Sequence, residues 1–269
     1  MSVVRIEQCF AACKAEGRPA LIAYLTIGDP SVEDSLACAR AALSAGADIL
    51  ELGVPFSDPS ADGPTIAEAS QRAIAGGGSL RAALALATEL RKDSDAPLVL
   101  FTYVNPVIAF GEAQLPAAAA AAGIDALLLV DLPPEEGAEL RQGCRDRELA
   151  VIPLLAPTTP PERAAILLRD ARGFAYYVSV TGVTGTGSAP LAQAASAANA
   201  LSQAHSLPVV VGFGVDSATK AEALARAGVG GVVVGSAIVR QIASATTRAE
   251  RVDGVRNLVA QLRAALQAR

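Results

Sequence analysis

The sequence predicts a single α/β domain of the (β/α)8 barrel class. Eight short runs rich in Val, Ile and Leu alternate with longer helical stretches. Most of the eight runs start about 22 to 35 residues apart, a spacing that leaves room for a strand, a helix and two loops. Several runs are apolar on both faces, as buried parallel strands are. A doubly wound open sheet is the alternative. The even spacing of eight units favours a closed barrel.

The predicted elements follow in order along the chain. The strands are residues 20–25, 49–53, 98–102, 126–130, 150–155, 174–179, 209–212 and 231–234. Helices with clear start or end signals are predicted at 32–45, 65–75, 80–92, 135–147 and 218–227. Glu135 and Glu136 would lie in the first turn of the fourth of these helices, where the helix dipole favours anions. Helical segments 5–16 and 236–243 would add to the barrel at its N-terminus and after the eighth strand.

Composition excludes several classes of function. The chain has 269 residues with 22 Lys and Arg against 27 Asp and Glu, a net charge of −5, so nothing in its charge indicates a nucleic acid or an anionic membrane as partner. No apolar run reaches the length of about 18 residues that a membrane span needs. The N-terminus lacks an apolar signal core, which predicts a cytoplasmic protein. The sequence shows no linker or break in composition, which predicts one domain over residues 1–269.

Cysteine and histidine usage argues against metal or thiol chemistry. The four Cys do not form a disulfide framework, and Cys9 and Cys13, one helical turn apart, have no second Cys or His pair to complete a metal site. His205 is the single His of the sequence, so a His-based triad is not expected. No metal site is therefore predicted.

The second predicted strand carries a candidate catalytic carboxyl. Side chains alternate along a strand, so Glu51 shares a face with Ile49, while Leu50 and Leu52 suit the helix-facing side. Glu51 would then point into the barrel near the carboxyl ends of the strands, where barrel active sites lie. Apolar surroundings raise a carboxyl pKa, as proton transfer near neutral pH requires. The alternative is a structural Glu paired with a Lys or Arg.

The loop after this strand, residues 54–65, contains three prolines and two carboxylates. Asp58 and Asp62 are followed by Pro and Gly, so either one could serve only as a turn residue. Prolines stiffen a loop, and a long, stiff, acidic loop beside an inward-facing Glu is more than a turn needs. A strand carboxylate and a loop carboxylate together could perform acid–base chemistry.

The last three strand ends predict a lid and a phosphate site. Residues 179–189 are rich in Gly, Thr and Ser and too long for a tight connection, which predicts a mobile lid. The seventh strand ends in Gly-Phe-Gly at 212–214, and the eighth in Gly235 and Ser236 at the start of an extra helix. Loops after strands seven and eight, with such a helix N-terminus, often bind phosphate in barrels.

These motifs resemble those of the tryptophan synthase alpha subunit family. Residues 51–59 read Glu-Leu-Gly-Val-Pro-Phe-Ser-Asp-Pro and residues 61–64 read Ala-Asp-Gly-Pro. Gly-Asp-Pro at 28–30, Asp-Leu-Pro at 131–133, Gly-Val-Thr-Gly at 182–185, Gly-Phe-Gly at 212–214 and Gly-Ser-Ala at 235–237 follow in the family's order. The resemblance covers nearly the whole chain.

The resemblance implies retro-aldol cleavage of indole-3-glycerol phosphate to indole and glyceraldehyde 3-phosphate. Glu51 would be the acid and base, and Asp62 would bind the indole N–H. The further residues that it implies are the phosphate-binding Gly185, Gly214, Gly235 and Ser236, the substrate and lid residues Tyr24, Ile66, Tyr176, Thr184 and Phe213, and the partner contacts Pro55 and Asp58.

The resemblance also implies a partner, the beta subunit, in an α2β2 heterotetramer. Pyridoxal phosphate would belong to that partner, and this chain would need no cofactor. The sequence departs from the family pattern at three places. The family commonly has an Arg shortly after the Gly-Val-Thr-Gly run, and here Thr186, Gly187 and Ser188 follow instead. Ser60 stands where Leu is usual, and Ala23 stands where Pro is common. A stand-alone indole-releasing lyase and a non-catalytic modulator of a beta subunit are the alternative functions.

Overall fold

A computed structural model describes residues 2–178, 189–212 and 214–267 of the chain. Its strands are β1 (Ala20–Thr26), β2 (Ile49–Gly53), β3 (Leu98–Thr102), β4 (Ala126–Leu129), β5 (Ala150–Val151), β6 (Leu154–Leu155), β7 (Ala175–Val178), β8 (Val209–Gly212) and β9 (Gly231–Val234). Its helices are α1 (Ser2–Ala15), α2 (Val32–Ser44), α3 (Pro64–Ala75), α4 (Leu80–Leu90), α5 (Val104–Phe110), α6 (Leu115–Ala121), α7 (Ala138–Arg145), α8 (Pro161–Leu168), α9 (Ala189–His205), α10 (Ala218–Arg226), α11 (Ser236–Ser244) and α12 (Arg248–Gln267).

The sheet closes on itself through one interrupted strand. Its strands are parallel and run in the order β5-β4-β3-β2-β1-β9-β8-β7-β6, so β5 and β6 form its two ends. Only Ile152 and Pro153 separate these ends in the chain. The Ile152 N–H donates to Leu127 on the β4 side, and the Pro153 carbonyl accepts from Tyr176 in β7. The predicted (β/α)8 barrel is confirmed, and the open doubly wound alternative is wrong.

The apolar core has two layers, as the strand alternation predicts. Ile49 belongs to a cluster inside the barrel, whereas Leu50 and Leu52 belong to the cluster between the strands and the helices. The predicted additions at the N-terminus and after the eighth strand are present as α1 and α11. The C-terminal α12 buries Val255, Val259, Leu262 and Leu266, which recur at helical spacing.

Helix α1 covers the N-terminal end of the barrel. It buries Ile6 and Phe10, and the Phe10 ring lies 5.6 Å from that of Phe174, just before β7. Arg5 pairs at 2.7 Å with Asp125, a fully buried carboxylate at the start of β4. With this end covered, a ligand site belongs at the carboxyl ends of the strands.

The predicted start of helix 135–147 is wrong. Gly137 has a left-handed φ of +65°, and α7 begins only at Ala138. The N–H of Glu136 turns back to the carbonyl of Pro133 at 3.1 Å, so this stretch forms a turn. Glu139 is the acidic residue of the first helical turn, and Glu135 pairs with Arg163 instead.

No helix among the described residues is long and apolar enough to cross a membrane.

Candidate active site

The carboxyl group of Glu51 is buried inside the barrel, toward the carboxyl ends of the strands. Glu51 sits in β2 between Tyr24 of β1 and Val99 of β3, and it is 1% exposed. Among the described residues, no hydrogen-bond partner reaches its Oε1 and no Lys or Arg pairs with it. Burial raises its pKa to about 8, so this carboxyl group keeps its proton at neutral pH.

Asp62 lies on the loop between β2 and α3 and is held by Tyr103. The Tyr103 hydroxyl donates to Asp62 Oδ2 at 3.0 Å and accepts from the backbone N–H of Ala61 at 3.1 Å. Burial raises the pKa of Asp62 to about 6, and the Tyr103 bond opposes this rise. Asp62 is therefore mostly ionised at pH 7, in contrast to Glu51.

Two tyrosines each lie against the glycine that ends the adjacent strand, Tyr24 of β1 against Gly53 of β2 and Tyr176 of β7 against Gly212 of β8. A Cβ on Gly53 would come within 2.3 Å of the Tyr24 hydroxyl oxygen, and a Cβ on Gly212 within 1.9 Å of the Tyr176 hydroxyl oxygen. No side chain fits at those strand ends. The glycines therefore allow both rings to turn across the mouth of the barrel.

The predicted substrate residues that the structure describes gather in one place. Tyr24, Ile66 and Tyr176 are all buried in the interior cluster, and the Tyr24 ring meets Phe101 edge-on at 5.4 Å. Besides burial, the charges of Glu51 and Asp62 raise the pKa of Tyr176. The two carboxyl groups and the aromatic rings therefore form one electrostatically coupled site. Thr184 and Phe213 lie outside the described residues.

The predicted phosphate residues flank the same opening. Gly235 follows β9 directly and precedes Ser236, the exposed first residue of the nine-residue helix α11. Gly214 lies just beyond β8 and is exposed, with open space around it. Its carbonyl accepts from the Lys220 ammonium at 2.9 Å. Gly185 lies outside the described residues.

The two predicted partner contacts differ in exposure. Pro55 is buried, and its Cγ lies close to the backbone of Gly78, where a Cβ would meet it at 3.0 Å. Asp58 is exposed on the same loop. The geometry suits Pro55 to shape the loop and Asp58 to meet another surface.

The thiol pair lies apart from this site, at the N-terminal end of the barrel. Cys9, Cys13 and Asp48 bring ligand atoms within 4.8 Å of one another. Both oxygens of Asp48 already accept hydrogen bonds from Arg18 and Arg263. Two cations beside the carboxylate disfavour a metal ion there, and the absence of a metal site stays a prediction.

Sequence reasoning missed Tyr103 and Lys220 as site residues. Tyr103 directly follows β3, so its place at a strand's carboxyl end was an available signal. Lys220 lies on α10, and nothing in its local sequence indicates that it folds back to Gly214.

The fold and the site define a class: a (β/α)8 barrel enzyme with two carboxyl groups of raised pKa, one on β2 and one on the loop that follows it. The family model described as "Tryptophan synthase alpha chain" matches residues 10–267. The chain belongs to the tryptophan synthase alpha chain family, which confirms the resemblance seen in its motifs.

Individual relatives agree along nearly the full length. The tryptophan synthase alpha chain of Laribacter hongkongensis is 45% identical, covering 98% of this chain and 99% of the relative. That of Gluconacetobacter diazotrophicus is 46% identical, covering 97% and 96%. The structure of Mycobacterium tuberculosis tryptophan synthase superposes with a TM-score of 0.88 at 36% identity, covering 98% of this chain and 99% of that one.

Proposed function

We propose that the chain cleaves indole-3-glycerol phosphate to indole and glyceraldehyde 3-phosphate, with Glu51 and Asp62 performing the chemistry. The observation that carries this assignment is the enclosed Glu51 carboxyl group, whose pKa of about 8 keeps a proton at the mouth of the barrel. An acid with a pKa near the working pH is an effective proton donor. The family assignment supports the same reaction.

The proton balance of the reaction suits a single protonated carboxyl group. Glu51 gives its proton to indole C3, which places positive charge on the ring nitrogen. The carbon–carbon bond then breaks, its electron pair returns to the indole ring, and the hydroxyl on the adjacent side-chain carbon loses its proton as the aldehyde forms. Glu51, by then a carboxylate, accepts that proton and ends as it began.

Asp62 supplies the complementary charge. As an ionised group at pH 7 it accepts a hydrogen bond from the indole N–H and stabilises the positive charge that develops on the ring. Tyr103 holds Asp62 in place through its hydroxyl. Tyr24, Ile66 and Tyr176 enclose the substrate in this proposal, and the family resemblance assigns Thr184 and Phe213 to the substrate and the lid as well.

The phosphate group binds at the ends of the last strands. Gly235 and Ser236 offer backbone N–H groups at the N-terminus of α11, where the helix dipole favours an anion. Gly214 and Gly185 complete the site with further backbone N–H groups. The distance from this site to Glu51 would be spanned by the glycerol chain.

The partner in this proposal is a beta subunit in an α2β2 heterotetramer. Asp58, exposed on the loop that also carries Asp62, meets the partner, while Pro55 fixes the loop shape. Contact at Asp58 would therefore reach the catalytic carboxylate four residues away in the chain. The reaction needs only protons and electrostatics, so this chain needs no cofactor, and pyridoxal phosphate belongs to the partner.

An indole-release assay, run with and without an added beta subunit, tests the proposal. We expect low turnover of the isolated chain and a large increase in the complex. Asp62→Asn should lose turnover in both conditions, whereas Asp58→Asn should mainly lose the increase. High turnover alone, unchanged by the partner, would instead identify a stand-alone lyase, and retained partner binding without indole release would identify a modulator.

A further inference from the structure

A second cavity lies on the outside of the barrel, between α7 and α8. Its volume is about 660 Å³, and its floor is the interrupted strand formed by β5 and β6. None of the described residues assigned above to catalysis, phosphate or substrate lines it. The cavity is therefore separate from the site at the barrel mouth.

The charge around this cavity is mainly positive. Five arginines and two aspartates line it: Arg141, Arg145, Arg163, Arg169 and Arg172, with Asp131 and Asp170. Arg163 pairs with Glu135, and Arg172 lies 3.8 Å from Glu7. Within the described part of the chain, Arg141, Arg145 and Arg169 have no carboxylate within ion-pair distance.

Arg141 is the side chain that most lacks an acceptor. Its Nη2 donates weakly to the Leu132 carbonyl at 3.2 Å, while its Nε is buried and has no hydrogen-bond partner among the described residues. Arg145 follows one helical turn later, and among the described residues its guanidinium bonds only to the neutral Gln142 side chain. Partial burial and the charge of Arg145 both lower the pKa of Arg141. An anion between the two guanidinium groups would relieve both effects.

Apart from Thr159, the side chains of the remaining wall are apolar. Pro133, Leu149, Val151 and Leu154 line it from the strand side, and Ile166 of α8 faces it with 45% of its surface exposed. Exposed Ile beside unpaired Arg is a combination that suits a ligand with an acid group and an apolar body.

We propose that this cavity binds a small organic anion with a flat apolar body, its acid group held by Arg141 and Arg145 and its body packed on Ile166. The site is separate from the barrel mouth, since the described residues that line it include none of those assigned to the reaction. Charge-assisted hydrogen bonds to a desolvated guanidinium favour a sulfonate or carboxylate over a neutral ligand of the same shape.

The test uses 8-anilinonaphthalene-1-sulfonate, whose fluorescence rises in apolar sites, titrated into the full chain at neutral pH. Its neutral analogue N-phenyl-1-naphthylamine has the same rings without the acid group. We expect the sulfonate to bind more tightly than the analogue. Arg145→Gln and the double variant with Arg141→Gln should weaken it roughly tenfold to a hundredfold, as loss of charged hydrogen bonds does.

Matched controls separate this site from general dye binding. Ile166→Glu places a carboxylate in the cavity and should abolish sulfonate binding, while Ile108→Glu, at an exposed Ile elsewhere, should leave it unchanged. Arg226→Gln on α10 is the corresponding arginine control. Arg145 and Ile166 are exposed, so their variants keep the fold even if Arg141→Gln does not. Sulfonate binding unaffected by Arg145→Gln and Ile166→Glu, or an equally tight neutral analogue, would overturn the proposal.

Discussion

Replacing Glu51 by Gln should remove activity and add stability at the same time. The substitution keeps the size of the side chain and removes its titratable proton. General acid–base groups contribute about 10²–10⁴-fold to rate, so indole release should fall by at least a hundredfold. Phosphate-ligand binding, which we assign to Gly235 and Ser236, should change little.

The stability gain follows from the raised pKa. Burial moves the Glu51 pKa from 4.5 to about 8. Below pH 4.5 the folded and unfolded chains both keep the proton. Between pH 4.5 and 8 the unfolded chain releases it and the folded chain does not, so the wild type loses about 1.4 kcal/mol of stability per pH unit. At pH 7 this loss amounts to about 3 kcal/mol, and the Gln variant escapes it.

The assay is urea unfolding of both proteins at pH 5, 6, 7 and 8, followed by circular dichroism. The desolvation penalty of the Gln amide does not change with pH, so the informative quantity is the slope of the difference between the two unfolding free energies. Glu68→Gln, at an exposed position on α3, is the matched control and should show no such slope. A pH-independent difference, or a variant with more than about a tenth of wild-type turnover, would refute the assignment of Glu51.

Three further predictions concern the surroundings of this carboxyl group. The kcat/KM of indole release should be bell-shaped in pH, with limbs near 6 and 8, because Asp62 loses its charge below about 6 and Glu51 loses its proton above about 8. The substrate phosphate also titrates near pH 6 and contributes to the same acid limb. Asp62→Asn should therefore remove the part of the acid limb that comes from the protein and leave the part that comes from the substrate. An unaltered acid limb would contradict the assignment of Asp62. Tyr103→Phe should raise the pKa of Asp62, move the acid limb upward and lower the rate roughly threefold to tenfold, whereas Tyr177→Phe, on the outward face of β7, should change neither. Arg72→Met should lower the free energy of unfolding by about 3 kcal/mol in urea titrations, since it leaves the buried carboxylate of Asp29, on the β1–α2 loop, without its ion-pair partner. A loss under about 1 kcal/mol would show that the Arg72–Asp29 pair is dispensable.

Much of the barrel could be predicted because its strands are short apolar runs with local boundaries. The bounds of β2, β3, β8 and β9 agree with the prediction, since buried parallel strands are short, nearly continuous apolar runs. The inward orientation of Glu51 follows from alternation alone, with Ile49 on its face and Leu50 on the other.

Other features depend on contacts between residues far apart in the chain. The break of the fifth strand at Pro153 arises because its two halves pair with different neighbours. The late start of α7 depends on a left-handed Gly137 that competes with the proline start signal. Tyr103 holds Asp62 across 41 residues of sequence, a distance over which no local pattern acts.

The sequence by itself determined the eight strand-and-helix units of the barrel and the face on which each strand side chain lies, because these depend on local periodicity and backbone preference. Only the tertiary structure decided which of the two carboxyl groups, Glu51 or Asp62, keeps its proton at neutral pH. Closure of the barrel encloses Glu51 with no partner for its Oε1 among the residues that the structure describes, and it places a tyrosine hydroxyl on Asp62. A pKa depends on solvent exclusion and on neighbours in space, and both exist only once distant strands have come together.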